Sequence, residues 1–127
     1  MLISILIVED NQLMGNCLKD WFEDEGFKVM VVSSADTALE MLAVNDFQVC
    51  ISDLNLVGMQ GDDFIRIALA AHSRTKFIIL TGLCYYSLDD ELRSLGMLDE
   101  DIFYKPVFPL GILSDAIRKA VNRGSYI

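Results

Sequence analysis

"VCISDLNLVGMQG", residues 49–61, sets the problem of this chain. A short apolar run ends abruptly in Asp53, and a loop with two glycines follows. Aspartate at a strand end is often no more than a turn residue whose carboxylate caps nearby N–H groups. It can also be a nucleophile or metal ligand held at the mouth of a sheet. Only the rest of the chain separates these readings.

Working outward, the same grammar repeats. "LISILIV" (residues 2–8) is nearly continuous in apolar and β-branched residues, the mark of a strand buried on both faces of a parallel sheet. It runs into Glu9 and Asp10. "KVMVVS", "FQVCIS", "KFIIL" and the short "DIFY" read as four more strands. Between them lie helical periodicities. The first helix carries Leu13, Cys17, Leu18, Trp21 and Phe22, with Gly26 as a stop signal. The second follows Ser34 as N-cap and places Ala35, Ala38, Leu39 and Leu42 on one face. The third places Phe64, Ile65, Ala68 and Leu69 inward; "SLDDELRSLG" is a weaker fourth; the fifth has Pro109 near its first turn. Strict alternation of strand and helix predicts an α/β fold, a doubly wound five-stranded parallel sheet with helices on both faces. With 127 residues, no internal repeat and no linker, residues 1–127 are expected to form one domain. A chain of this size buries roughly two thirds of its unfolded surface and needs no disulfide or metal to fold.

Composition narrows the function. The formal net charge of −9 argues against direct nucleic-acid binding and suits a metal cation or a basic partner. Cys17, Cys50 and Cys84 form no CxxC pair, so zinc is not expected. Cys17 and Cys50 sit in apolar patterns and read as buried small hydrophobes, and the cysteine usage suits a reducing compartment, the cytoplasm. The N-terminal apolar run lacks a basic start and stops at Glu9, unlike a signal peptide. No apolar run approaches the ~20 residues of a membrane span.

The polar residues fall at strand ends: Glu9 and Asp10 after the first, Asp53 after the third, Thr81 at the fourth, Lys105 after the fifth. Open parallel sheets bind ligands beyond the carboxyl ends of their strands. If the strand order is the common 2-1-3-4-5, the first and third strands are neighbours, and Glu9, Asp10 and Asp53 meet. Three carboxylates in one crevice repel unless a cation lies among them, and hard oxygen donors favour Mg2+ or Mn2+. With the Lys105 ammonium and the Thr81 hydroxyl added, the set suits phosphoryl transfer onto Asp53. No organic cofactor is implied.

At this point "ILIVEDN", "DLNLVGMQG", "ILTG" and "YKP" together resemble a two-component response regulator receiver domain, along nearly the whole chain. The resemblance implies a flavodoxin-like fold with strand order 2-1-3-4-5. It implies that Asp53 accepts a phosphoryl group from a histidine kinase or phosphotransfer protein, in a Mg2+-dependent reaction. Asp10 would bind the metal directly, Glu9 through water, and Asn55 through its backbone carbonyl, with Asp53 completing the metal set. Thr81 and Lys105 would contact phosphoryl oxygens, and the Lys105–Pro106 peptide would be cis. Such a domain catalyses only its own phosphorylation and dephosphorylation. It signals by conformational change to a downstream protein or output domain, and a homodimer through helix four, strand five and helix five fits the family.

This chain departs from the family at four places. Val57 replaces a frequent proline. Ile102 stands three before Lys105, where the family usually has an aromatic switch residue. The interval from Gly96 to Lys105 is longer than usual, so that "MLDED" (residues 97–101) looks like an insertion. Leu83, two after Thr81, cannot orient water by hydrogen bonding, which implies slow autodephosphorylation. Ile102 and the insertion keep open a pseudo-receiver, an interaction module not switched by phosphate. An aspartate-nucleophile phosphatase on a similar fold is disfavoured, because Asn55 occupies the place of the second acid in its "DxD" motif. His72 reads as a helix C-terminal charge. Tyr85 and Tyr86 read as loop packing, and the acidic stretch at residues 20–26 as a solvated helix face.

Overall fold

In a computed structural model of the chain, residues 2–56, 58–72 and 74–124 are described; Val57 lies outside them. The elements are β1 (Ser4–Val8), α1 (Gln12–Asp24), β2 (Lys28–Val32), α2 (Ala35–Val44), β3 (Val49–Ser52), α3 (Gly61–Ala71), β4 (Lys76–Thr81), α4 (Asp90–Ser94), β5 (Ile102–Tyr104) and α5 (Gly111–Gly124), with a 3-10 turn at Asp99–Asp101. All strand pairs are parallel and the order is β2-β1-β3-β4-β5, the flavodoxin-like arrangement expected.

The near-continuous apolar strands follow from a sheet covered on both faces. Successive strand residues point to opposite sides. Ile5, Ile7, Val49, Ile51, Ile78 and Leu80 pack with Leu18 and Phe22 of α1 and Leu113 and Ile117 of α5. Leu6, Val8, Cys50, Phe77 and Ile79 pack with Ala38 and Leu42 of α2 and Phe64 and Ile65 of α3. Side-chain caps set the helix starts: Asn11 accepts from the Met14 N–H at 3.0 Å, Ser34 from Thr37 at 3.2 Å and Asp89 from Leu92 at 2.9 Å.

The expected burial of Cys17 in α1 fails. Cys17 is exposed, and Leu13 is 76% exposed. At about 100° per residue, the arc facing the sheet is centred on Leu18 and Phe22, and Leu13 and Cys17 lie beyond its edge. The buried cysteine is Cys50, whose thiol pKa is driven far up by burial. Helix α4 is also shorter than the sequence suggested. It starts only after the Asp89 cap and stops before Gly96, which has a φ of +107°. The Arg66 guanidinium of α3 pairs with Asp62, Asp63, Asp89 and Glu91, holding the start of α4 against α3.

The insertion-like "MLDED" has a packing role. Met97 is buried, and Asp101 closes the 3-10 turn by accepting the Leu98 N–H at 2.8 Å. The buried Asp101 carboxylate also receives Arg123 of α5 at 3.0 and 3.2 Å. Burial pushes the Asp101 pKa up, and the Leu98 N–H and Arg123 pull against it. Arg123→Ala leaves this carboxylate short of partners, so a loss of about 1–3 kcal/mol in urea unfolding is expected. A native pKa above the unfolded one means that the native state holds the proton more tightly. The deficit should therefore be smallest in acid and grow as pH rises through the raised Asp101 pKa.

Gly61, at the start of α3, sits against the strand end that carries Asp53. A Cβ there would lie 2.3 Å from the Asp53 carbonyl oxygen and 2.5 Å from the Leu54 Cα. Both are backbone atoms that cannot step aside. Gly61→Ala should cost about 1–3 kcal/mol by overpacking, read as a lower urea midpoint, with displaced NMR amide signals at residues 53–55.

Candidate functional site

The sheet delivers the polar residues to one edge. Val8 pairs with Ser52, so Glu9 and Asp53 leave adjacent strands at the same level. The Asp53 N–H still donates to the Val8 carbonyl at 3.2 Å, and the Glu9 N–H to the Val32 carbonyl at 3.0 Å, so both residues are fixed by the ladder. From β5, Lys105 donates its N–H to the Thr81 carbonyl at 2.7 Å and returns its side chain over the edge. Its Nζ lies 2.8 Å from Asp53 Oδ2 and 3.1 Å from Glu9 Oε1. The other Asp53 oxygen, Oδ1, accepts the Asn55 N–H at 3.1 Å, and Glu9 Oε2 accepts the Asn11 N–H at 3.3 Å.

Glu9 is 4% exposed and Asp53 8%, whereas Asp10 is open to solvent. Glu9, Asp10 and Asp53 each offer an oxygen, and these oxygens lie within 4.8 Å of one another. Three carboxylates against one ammonium leave two formal negative charges uncompensated. The donor set is hard oxygen only, so it fits a divalent cation such as Mg2+ or Mn2+. Burial raises the Glu9 pKa, and this outweighs the hydrogen bonds from Lys105 and the Asn11 N–H. Burial also disfavours the Lys105 ammonium, but its hydrogen bonds to Asp53 and Glu9 hold its pKa above the ordinary lysine value.

The structure thus brings Glu9, Asp10, Asp53 and Lys105 together and ties Asn55 to Asp53 through its backbone. Thr81 ends β4 at the same edge and is 1% exposed; its hydroxyl accepts the Leu83 N–H at 3.0 Å. The Lys105–Pro106 peptide is cis as the resemblance implied, and Phe108–Pro109 is cis as well. Ile102 is buried and packs with Leu88, Leu92 and Met97. Of the two tyrosines read as loop packing, Tyr86 is half-buried, but Tyr85 is 80% exposed because its side chain leaves the loop away from the core. His72 caps α3 through its backbone, and the acidic residues Asp20, Glu23, Asp24 and Glu25 are solvated as expected. Sequence reasoning gave no role to Tyr104, whose hydroxyl donates to the Tyr86 carbonyl at 2.6 Å.

A family model described as the response regulator receiver domain matches residues 5–117. The chain belongs to the response regulator receiver family. Receiver domains are signalling domains of two-component systems that interact with histidine kinases and output domains, and the family binds Mg2+ in an acidic pocket such as the one formed here by Glu9, Asp10 and Asp53. This receiver is similar over its length to the CheY-like receiver domain protein of Methanospirillum hungatei JF-1, with 26% identity, a TM-score of 0.85 and coverage of 99% of this chain and 98% of that one. It is similar also to a receiver domain protein of Clostridium thermocellum, with 28% identity, a TM-score of 0.83 and coverage of 98% of both chains. The cell cycle response regulator CtrA of Brucella ovis is 24% identical over 104 residues, covering 82% of this chain. The receiver spans 44% of the length of that curated relative. Among the described residues, no helix is long and apolar enough to cross a membrane.

Lys105 is the cation that tempers the acid cluster. In Lys105→Met, the Glu9 carboxyl loses an attractive partner while its burial and the Asp53 charge remain. Its titration midpoint, followed by 13C NMR of the carboxyl in metal-free buffer, should lie above that of the wild type.

Proposed function

We propose that Asp53 is the phosphoacceptor of a signalling switch that takes its phosphoryl group from a histidine kinase or a phosphotransfer protein. The observation that carries this reading is the Lys105 ammonium lying between Asp53 and Glu9 beside the exposed Asp10, all at the carboxyl edge of the sheet. A buried carboxylate at this edge is fixed in direction by the Asn55 N–H on one oxygen and by Lys105 on the other. Positioning of this kind is most of what a protein contributes to phosphoryl transfer.

In the transfer, an Asp53 oxygen forms the new P–O bond in line with the P–N bond of phosphohistidine. That bond breaks, and its electron pair returns to the imidazole nitrogen. Lys105 stays protonated by virtue of its raised pKa and follows the negative charge onto the phosphoryl oxygens. Thr81 donates its hydroxyl hydrogen to one of those oxygens. Glu9, Asp10, Asp53 and the Asn55 backbone carbonyl would hold Mg2+ or Mn2+, which supplies neutralising charge for the phosphoryl oxygens.

The domain turns over no external substrate in this reading beyond its own phosphorylation and dephosphorylation. Leu83 makes loss of the phosphoryl group slow, because an apolar side chain beside Thr81 holds no water. Residues 1–127 act as one domain in the cytoplasm, upstream of a downstream protein or an output domain. The face of α4, β5 and α5 is the one for a homodimer.

The test is incubation with Mg2+ and acetyl phosphate, followed by intact mass. One phosphoryl group should be added to the wild type, none to Asp53→Asn, and none after chelation of the metal. Absence of labelling in a folded wild type would instead favour a pseudo-receiver, the reading to which the core-filling Ile102 lends some support.

A further inference from the structure

Position 102, where the receiver family usually carries an aromatic switch residue, is an isoleucine buried in the core. The structure supplies another route. The Thr81 hydroxyl accepts the Leu83 N–H at 3.0 Å. The Leu83 carbonyl accepts the Tyr86 N–H at 3.0 Å. The Tyr86 carbonyl accepts the Tyr104 hydroxyl at 2.6 Å. Tyr104 is the register partner of Thr81 across β4 and β5, and the N–H of the next residue, Lys105, donates to the Thr81 carbonyl at 2.7 Å. The hydrogen bonds therefore close a ring. It starts at the Thr81 side chain, crosses residues 82–86, returns through the Tyr104 side chain and ends at the Thr81 backbone. Both groups that face Asp53 in the proposed reaction, Thr81 and Lys105, are part of it.

We propose that Tyr104 is the residue that reads the state of Asp53 in this chain, through this hydrogen-bonded ring, in place of an aromatic at position 102. The inference rests on the phosphoacceptor reading of Asp53. When the Thr81 side chain swings so that its hydroxyl donates to a phosphoryl oxygen, the oxygen that accepts the Leu83 N–H moves with it, and that N–H must follow or lose the bond. Segment 82–86 is built to follow. Gly82 is exposed, and a Cβ built on it would meet nothing within 4 Å, so the hinge next to Thr81 is unobstructed. The motion displaces the Tyr86 carbonyl and with it the partner of Tyr104. Tyr104 is 43% exposed, so water can replace the Tyr86 carbonyl when the bond opens, which a buried phenol could not achieve. Tyr85, solvent-facing in the middle of the moving segment, would carry the change to the surface.

The test compares the full chain with Tyr104→Phe, which keeps the ring and removes only the hydroxyl. Each is treated with Mg2+ and acetyl phosphate, and read by intact mass, amide hydrogen exchange and aromatic NMR signals. In the wild type, phosphorylation should change exchange at the Leu83 and Tyr86 amides severalfold and shift the residue-104 ring signals. In Tyr104→Phe, Asp53 should be labelled to the same mass and the Leu83 amide should still respond. The ring response at position 104 should fall at least twofold. Labelled wild type with unmoved Tyr104 ring signals would overturn this inference alone, as would an undiminished ring response in Tyr104→Phe. Wild type without a mass gain would overturn the phosphoacceptor reading and this inference with it.

Discussion

The structure depends on how one ammonium group is placed among carboxylates. Lys105 reaches from the edge strand β5 across the end of β4 to Asp53 on β3 and Glu9 after β1. Glu9 and Asp53 are almost wholly buried, and their like charges repel. The single ammonium offsets part of that repulsion. The charge left over, together with Asp10, is what gives the crevice its capacity for a divalent cation. The same bonds hold Asp53 in one orientation, with one oxygen on Lys105 and the other on the Asn55 N–H.

That placement is possible because the rest of the domain is a rigid two-sided sandwich. Side chains alternate along each strand between two apolar clusters. The loops bear the consequences. The segment after Asp53 must pass so close to α3 that position 61 admits only glycine. The segment after Thr81 is free of such pressure, and it is there that the hydrogen-bonded ring through Tyr104 runs. The two loops differ at their glycines: a Cβ at Gly61 would strike backbone, whereas one at Gly82 would meet nothing, although Leu83 and Tyr86 further along rest against the core.

On the far side of β5, the buried Asp101 and Arg123 tie the turn before the strand to the last turns of α5. Arg66 ties the short α4 to α3 in the same manner. For the buried Asp101 carboxylate, desolvation offsets much of the attraction, whereas the Arg66 pairs are exposed to solvent.

Much of this was legible in the chain. Strand identity followed from short apolar runs, and the acid set from what stood at their ends. The burial of Cys17 was misread because helical spacing defines a stripe without saying where the covered arc stops, and only the angle at which α1 meets the sheet decides that. The acidic "MLDED" looked like an interruption because the partner of Asp101, Arg123, stands far along the chain. The role of Tyr104 was hidden for a related reason: its partner is a backbone carbonyl, which no side-chain pattern records. Sequence alone determined the alternating elements and the chemical set of Glu9, Asp10, Asp53, Thr81 and Lys105, because burial and periodicity are local and additive along the chain. Tertiary structure alone decided which of these groups touch, which face of α1 is wet, and that Thr81 is joined to Tyr104, because hydrogen bonds act over a few ångströms between residues that only the folded sheet brings side by side.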